Sequence, residues 1–244
     1  MSVRILYQFA TAKQHTDLGQ AEVERRLAYL RTKVSPGTEV DVATPPVGPG
    51  SIESDYEAAL AVPEILRSID QAQARGFDAA IISCFSDPGL EPAREIARIP
   101  ILASGLCAMH AAAMLGQRFA IMSPLAGGSR GREQARRYGL ESFFASSRGI
   151  GLSVMELARD REGCMRQIVE AGRAAIDRDG ADVLILGCMS MAFHDVAEDL
   201  QERLGVPVVN PIAASLAMAE YLARSHLCHS KRAWPDPPKR EFLG

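Results

Sequence analysis

Short apolar runs alternate with longer amphipathic stretches along most of the chain. The runs predict strands over 3–8, 39–43, 79–83, 99–103, 118–122, 182–187 and 206–209. The stretches between them predict helices over 17–33, 56–75, 88–98, 107–115, 129–138, 155–179, 193–203 and 212–224. The pattern is weaker near 39–43 and 141–146. Strands that alternate with helices form parallel sheets covered by helices, so the pattern predicts an α/β fold.

Two segments carry residues that are typical of helix starts. Asp17 with Gln20 resembles a capping box, in which two side chains satisfy the first backbone N–H groups of a helix. Asp87 precedes Pro88, which suits an N-cap followed by proline at the first helical position. We therefore expect one helix to begin near 17 and another near 88.

Two cysteines end equivalent strands in the two halves of the chain. Cys84 follows the run 79–83 and Cys188 follows the run 183–187, so they lie 188 − 84 = 104 positions apart. A turn and a helix-like segment follow each of them. If the halves face each other, the two thiols flank one small molecule. One thiolate then takes a proton from a carbon next to a carbonyl, and the opposite thiol returns a proton to the other face.

The turn after Cys84 leads into the helix expected near Pro88. The unpaired N–H groups and the dipole of a helix N-terminus favour a thiolate, so we expect a lowered pKa for this thiol. The N–H groups of Phe85, Ser86 and Asp87 are placed to bind a carboxylate or carbonyl oxygen there. The opposing interpretation is that unpaired cysteines are small buried hydrophobes. We assign packing or exposed surface to the other three cysteines, Cys107, Cys164 and Cys228.

Ligand sites in open α/β sheets lie beyond the carboxyl ends of the strands. Five polar side chains are expected at such ends, namely Gln8, Cys84, Ser123, Cys188 and Asn210. The segment 35–54 is rich in proline and glycine and is expected to loop over the rim of the cleft. Arg130 or Arg132 is placed to reach an anionic substrate. The last residues, 226–244, are expected to be an extended tail that is disordered or packs on another subunit, which is compatible with a homo-oligomer.

The amino-acid composition limits the kinds of molecule that the protein is expected to bind. The 244 residues are 47% hydrophobic and carry a formal net charge of −3, which gives no basic field for nucleic acid or acidic lipid. No apolar stretch is long enough to span a membrane, and the N-terminus lacks a signal-peptide pattern, so we expect a cytoplasmic protein. The cysteines lack disulfide or zinc spacing. The glycine-rich segment 123–131 lacks the spacing of nucleotide-binding loops, so no metal or cofactor is expected.

A set of short motifs is spread along the chain at 35–40, 50–59, Cys84 with 87–90, 93–94, 108–110, 115–119, 180–182, 186–189 and 205–209. Together these motifs resemble the aspartate/glutamate/hydantoin racemase superfamily, most closely its hydantoin racemase branch. The resemblance covers nearly the whole chain.

The resemblance implies two pseudo-symmetric Rossmann-like lobes, each a parallel sheet flanked by helices, with the active site between them. The lobes are expected over 1–104 with 211–225, and over 105–210. It also implies cofactor-independent racemisation by two catalytic cysteines, which match Cys84 and Cys188. Substrate contacts are expected, together with Gln8 from the strand-end argument, from Ser51, Ser83, Phe85, Ser86, Ser123, Met189 and Ser190.

The chain departs from the pattern of the resembled family at three places around the expected pocket. An Asn-Pro-Asn-Ser-Thr-like turn is replaced by 8–12, a common acidic residue by Leu106, and an Asp-Gly pair by Asn210-Pro211. The expected substrate is therefore a hydantoin, an allantoin-like compound or a related amino-acid derivative. Two alternatives stay open: a cysteine-dependent isomerase or decarboxylase of a small dicarboxylate on the same scaffold, and a non-catalytic ligand-binding relative.

Overall fold

Eight strands form two sheets in the residues described by the computed structural model, 2–124 and 130–239. Every neighbouring pair in both sheets is parallel. The first sheet contains β1 (Val3–Phe9), β2 (Thr38–Ala43), β3 (Ala79–Ser83) and β4 (Ile101–Ala103) in the order β2-β1-β3-β4. The second contains β5 (Phe119–Ser123), β6 (Phe144–Gly149), β7 (Val183–Leu186) and β8 (Val208–Val209) in the order β6-β5-β7-β8. The two orders are the same permutation, so the expected pair of similar α/β halves is confirmed.

Helices cover the faces of both sheets. They are α1 (Gly19–Thr32), α2 (Asp55–Ala72), α3 (Leu90–Ile96), α4 (Ser104–Leu115), α5 (Arg130–Arg137), α6 (Val154–Arg159), α7 (Arg161–Asp179), α8 (Met189–Ala192), α9 (Ala197–Leu204) and α10 (Pro211–Arg224). Because helices cover them, β3 and β7 are buried at every position, which explains their unbroken apolar runs. The last helix, α10, returns to pack on β1, β3 and β4, while α4 contacts both sheets. The expected division of the chain at 104 and 210 stays a prediction.

Two of the expected helices are interrupted. The stretch expected as one helix over 155–179 is divided at Asp160, whose carboxylate accepts a hydrogen bond from the Gly163 N–H and starts α7. The stretch expected over 193–203 begins earlier as the short α8 and resumes as α9. Between the two lies Asp195 with a φ of 55°, a left-handed conformation that a continuous helix excludes.

The caps expected for two helices do not form, although each helix begins within two residues of its expected start. Helix α1 begins at Gly19 without a side-chain cap, and no capping box forms at Asp17. Helix α3 begins at Leu90 behind Gly89, whose φ of 75° is one that glycine adopts without strain. Asp87 instead turns its side chain towards a different helix. Its carboxylate accepts the Gly105 N–H at 2.8 Å and the Leu106 N–H at 2.7 Å, at the start of α4.

The buried Asp87 carboxylate also connects the first sheet to the second. It accepts hydrogen bonds from the Tyr138 hydroxyl at 2.6 Å and from Gln134 Nε2 at 3.1 Å, on and just beyond α5. Burial raises the pKa of Asp87 to about 6, and the four donors oppose that rise. Gly105 permits this close approach, because a Cβ there would lie 2.1 Å from the Phe85 carbonyl oxygen. The loop that carries Cys84 is thus fixed to α4 and α5.

The C-terminal segment contacts its own chain as far as Asp236. His229 Nε2 accepts a hydrogen bond from the Ile101 N–H at 2.7 Å, which covers the edge strand β4. Arg98 pairs with Asp236, and the Arg94 guanidinium lies 4.8 Å above the Trp234 ring. These contacts argue against a disordered segment over 226–236, whereas packing of the tail on another subunit stays a prediction, and 240–244 lies outside the described residues. Across 2–124 and 130–239, none of the helices combines the length and the apolar character that a membrane crossing requires.

The Asp87→Asn variant tests the link between the sheets. Whichever way the amide is turned, its NH₂ group faces the N–H of Gly105 or Leu106 and leaves one buried donor unsatisfied. We expect the free energy of unfolding to fall by about 1–3 kcal/mol in urea titrations at about pH 8. Asp195→Asn is the matched control, since Asp195 also has a positive φ but is exposed. It should change stability by less than about 0.5 kcal/mol, and equal stability of the two variants would contradict the assignment.

Candidate active site

A cavity of about 540 Å³ lies between the carboxyl ends of the two sheets. Parallel strands bring the loops that follow them to one edge, and here the two edges face each other. The first half of the chain contributes Phe9, Thr11, Lys13, Arg26, 52–55 and 83–86 to the wall. The second half contributes Ile121, Ser123, Pro124, Arg130, Gly131, Gln134, Ser147, Val154 and 187–190. The volume suits a small molecule with a ring and a side chain.

Cys84 is half-buried in the wall directly after β3. Its Sγ lies 3.2 Å from the Ser86 hydroxyl, and the Ser86 N–H also donates to it. Burial nevertheless raises the pKa of Cys84 to about 11, and the Asp87 carboxylate adds to the rise. The expected lowering of this pKa by a helix N-terminus is therefore wrong. The physical reason is that α3 begins only at Leu90, beyond the turn.

Cys188 lies in the opposite wall, directly before α8. Cys188 is the N-cap residue of α8, but its side chain makes no capping hydrogen bond; the nearby N–H groups of Ser190 and Met191 act to lower the pKa of its thiol. Burial raises the pKa of the Cys188 thiol, while the positive charges of Arg26 and Lys13 act against that rise. The two thiols therefore sit in different electrostatic surroundings, with a carboxylate beside Cys84 and two cations near Cys188.

Arg26 belongs to a charge cluster that joins α1 to α8. Its Nε donates to Glu22 at 2.7 Å, its Nη2 lies 3.3 Å from the Ser190 hydroxyl, and its guanidinium lies 4.4 Å above the Phe193 ring. Arg25 donates two further hydrogen bonds to Glu22 and one to the Phe193 carbonyl oxygen. Burial alone would raise the pKa of Glu22, but the two guanidinium groups bring it down to about 2. Glu22 thus stays ionised and holds both arginines.

The cavity brings together eight of the ten residues expected in the site. These are Ser83, Cys84, Phe85, Ser86, Ser123, Cys188, Met189 and Ser190. Gln8 is fully buried in β1 and donates to the Phe9 carbonyl oxygen, so it does not reach the cavity. The strand continues past Gln8, and Phe9 and Thr11 line the wall instead. Ser51 also lies outside the lining, to which its neighbours 52–55 contribute.

Of the other residues expected in the cleft, one lines the cavity and others do not. Asn210 caps α10 and donates to the Ala192 carbonyl oxygen, so its side chain is used within the fold. Arg130 lines the cavity, donates to the Glu53 carbonyl oxygen at 2.9 Å and lies 3.8 Å from Asp55. Arg132 lies 3.5 Å from Glu141. Of the glycine-rich loop, 125–129 lies outside the described residues.

Sequence reasoning missed two buried cations in the wall, Lys13 and Arg26. Lys13 lies four positions beyond the carboxyl end of β1. The expectation that ligand sites lie beyond strand ends therefore applies to Lys13 as it does to Gln8. Arg26 lies within α1, and no local pattern distinguishes it from a solvated helical arginine. Within the described ranges, no three His, Cys, Asp or Glu side chains are grouped so that they could hold a metal ion.

Comparison with known proteins agrees with this architecture. A family model described as Asp/Glu/hydantoin racemase matches residues 19–219. The chain belongs to this family. It is accordingly an isomerase of the racemase type, as the resemblance implied.

Individual relatives match over most of their length. A hydantoin racemase of Pseudomonas sp. (strain NS671) is 31% identical over 209 residues, which are 85% of this chain and 83% of the relative. Allantoin racemase from Klebsiella pneumoniae superposes with a TM-score of 0.89 at 30% identity and covers 100% of this chain and 97% of its own. Allantoin racemase from Pseudomonas fluorescens superposes with a TM-score of 0.90 at 30% identity, with 99% and 100% covered.

The Ser86→Ala variant tests the contact between the Ser86 hydroxyl and Cys84. Loss of a hydrogen bond that stabilises the thiolate costs about 0.5–1.5 kcal/mol, so alkylation of Cys84 should slow by about 2- to 10-fold at pH 8. In the parent protein the alkylation rate should rise with pH through about 10, because the pKa of Cys84 is about 11. Site-resolved mass spectrometry after iodoacetamide treatment gives the rate at each cysteine. The exposed Cys228 is the internal reference, and its rate should not change.

Proposed function

We propose that this racemase acts on a hydantoin-like ring or a related amino-acid derivative, at the carbon next to a carbonyl, with Cys84 and Cys188 as its two acid–base groups and no cofactor. One observation carries the proposal: the two cysteines follow equivalent strands, β3 and β7, and line one cavity from its two halves. The hydantoin and allantoin racemases among the relatives support this substrate class.

The reaction requires one thiolate and one thiol at the start. The thiolate takes the α-proton and becomes a thiol, and the electron pair of the C–H bond moves into the carbonyl to form an enolate. The opposite thiol gives its proton to the other face of the same carbon and becomes the thiolate. The carbon is inverted, no net proton is consumed, and the two cysteines have exchanged protonation states. The next turnover runs in the opposite direction.

The charges around the cavity favour the resting thiolate at Cys188. Lys13 and Arg26 are positive and interact with that sulfur, and the nearby N–H groups of Ser190 and Met191 also act to lower the pKa of its thiol. Cys84 has the Asp87 carboxylate nearby, which disfavours a second negative charge. The two sulfurs also interact with each other, so ionisation of one opposes ionisation of the other. This is the arrangement that a thiolate–thiol pair needs.

Hydantoin and allantoin fit the chemistry of this cavity. In both, the reacting carbon lies between a ring carbonyl and a ring nitrogen, and removal of its proton gives an enolate on the ring. The ring is small compared with a cavity of about 540 Å³, which leaves room for the substituent on that carbon. Ser123 and Ser190 line the walls, and their hydroxyl groups offer hydrogen bonds to ring oxygens and nitrogens.

Exchange of the α-proton in D₂O tests the two-cysteine mechanism. The substrates are 5-substituted hydantoins, allantoin, and free and N-carbamoyl amino acids, followed by NMR and by chiral chromatography. We expect Cys84→Ser and Cys188→Ser each to lose at least about 100-fold in the rate of racemisation, because inversion needs a proton donor and an acceptor on opposite faces and a serine hydroxyl is a far weaker acid than a thiol. Exchange without inversion is expected only for the enantiomer whose α-proton faces the remaining cysteine. Cys228→Ser is the matched control and should keep the parent rate, since Cys228 is exposed outside the cavity.

Two results would contradict the proposal. Full racemisation by either cysteine variant on the substrate of the parent protein would remove that cysteine from the mechanism. A covalent adduct on Cys84 or Cys188 during turnover, without α-proton exchange, would instead indicate isomerisation or decarboxylation through a nucleophilic cysteine.

A further inference from the structure

Lys13 is a buried cation that faces the cavity. Its residue is 3% exposed and forms part of the wall, on the short turn that follows β1. Among 2–124 and 130–239, no carboxylate lies within ion-pair distance of its ammonium group, and no oxygen accepts a hydrogen bond from it. Burial of a charged group without an ion-pair partner is unfavourable, and a ligand that brings the opposite charge into the cavity would offset that cost.

The surroundings of Lys13 are positive as a whole. Lys13, Arg25 and Arg26 carry three positive charges and Glu22 one negative charge, so the cluster has a formal charge of +3 − 1 = +2. The Glu22 carboxylate is already engaged by both arginines. Burial and the charge of Arg26 lower the pKa of Lys13 to about 8, so that near pH 7 it is still mostly protonated. An anion entering the cavity would relieve this excess of positive charge.

The rest of the cavity has no comparable unpaired charge among the described residues. Arg130 lies at the exposed rim and already contacts Glu53 and Asp55. Arg26 is held by Glu22 and by the Ser190 hydroxyl, so it joins the two halves of the fold. Lys13 makes no such link. Its charge in the wall on the Cys188 side therefore remains available to a ligand as well as to the sulfur, and its chemistry selects an anionic group.

We propose that Lys13, backed by the positive charge of Arg26, is a specificity-determining residue that takes a carboxylate on the side chain of the substrate. The inference rests on the proposed function and refines it, because the substrate is then an acidic hydantoin or an equivalent acidic derivative. Bound in this way, the carboxylate lies on the Cys188 side of the cavity. The ring is left near the two sulfurs.

A rival role for Lys13 is to stabilise the Cys188 thiolate alone. The two roles differ in what they predict for neutral substrates. A counter-ion of the thiolate serves every substrate equally, whereas a carboxylate site matters only for a substrate that carries the carboxylate. A pair of ligands that differ in that single charge therefore distinguishes them.

The test compares hydantoin-5-acetic acid with its carboxamide, hydantoin-5-acetamide, at about pH 7. The proteins are the parent, Lys13→Met, Lys13→Arg and the control Lys33→Met. Lys33 ends α1 outside the cavity lining and pairs with Asp195, so its replacement removes the same charge elsewhere. Dissociation constants are measured calorimetrically. The ligands are racemic, so that turnover by the enzyme does not change the ratio of the two enantiomers. Values of kcat/KM are measured by α-proton exchange.

We expect the parent protein to prefer the acid over the amide by at least tenfold in both measurements. In the calorimetric measurement, Lys13→Met should weaken binding of the acid by about 10- to 100-fold and binding of the amide by less than about threefold, since hydrogen bonds to charged groups are stronger than neutral ones. Because Lys13 also favours the Cys188 thiolate, kcat/KM should fall for both ligands, and by about 10- to 100-fold more for the acid than for the amide. Lys13→Arg should recover much of the preference, and Lys33→Met should keep it. Thermal unfolding adds a separate readout, because replacing an unpaired buried charge by methionine should leave stability unchanged or raised.

Other outcomes separate this inference from the proposed function. Equal losses for acid and amide in Lys13→Met, or no preference in the parent, would overturn the carboxylate site while leaving the racemisation mechanism intact. Lys13-dependent binding of the acid without proton exchange by the parent would support the carboxylate site and contradict the function. Absence of both binding and exchange would overturn the inference for hydantoins.

Discussion

The geometry of the site depends on two buried polar contacts that join the halves of the chain, one beside each cysteine. Three residues after Cys84, the Asp87 carboxylate accepts hydrogen bonds from the start of α4 and from Gln134 and Tyr138. Two residues after Cys188, the Ser190 hydroxyl faces Arg26 of α1, which Glu22 holds. Each cysteine loop is therefore attached to the opposite half. Buried polar groups tolerate little displacement. A buried group that is left without a hydrogen bond costs more free energy than a hydrogen bond between neutral groups contributes.

One of the two contacts places a negative carboxylate near its cysteine, and the other places a positive guanidinium near its cysteine. The pseudo-symmetric fold is therefore electrostatically asymmetric. The carboxylate of Asp87 raises the pKa of the nearby Cys84, whereas Arg26 and Lys13 favour a negative charge at Cys188. The proposed mechanism requires its two acid–base groups to be in different protonation states at the same moment. The fold supplies similar positions for the two sulfurs, and the side chains around them make their electrostatic surroundings different.

The strands were predictable because β3 and β7 are covered on both faces and must be apolar throughout. Helix ends were less predictable, since they depend on partners far along the chain. Asp87 has the sequence context of an N-cap for α3, yet its carboxylate binds the N-terminus of α4. Gln8 has the position of a strand end, yet β1 continues through Phe9 and encloses it. In each case a tertiary contact outweighed a local preference.

The sequence by itself determined the two parallel sheets, the equivalence of Cys84 and Cys188, and the family, because periodic burial and local motifs are properties of adjacent residues. Only the tertiary structure decided which other side chains meet the sulfurs. Lys13 and Arg26 belong to the turn after β1 and to α1, whereas Cys188 and Ser190 lie more than 160 positions later in the chain. Electrostatic interactions depend on distance in space and on burial, and neither is written in the order of the residues.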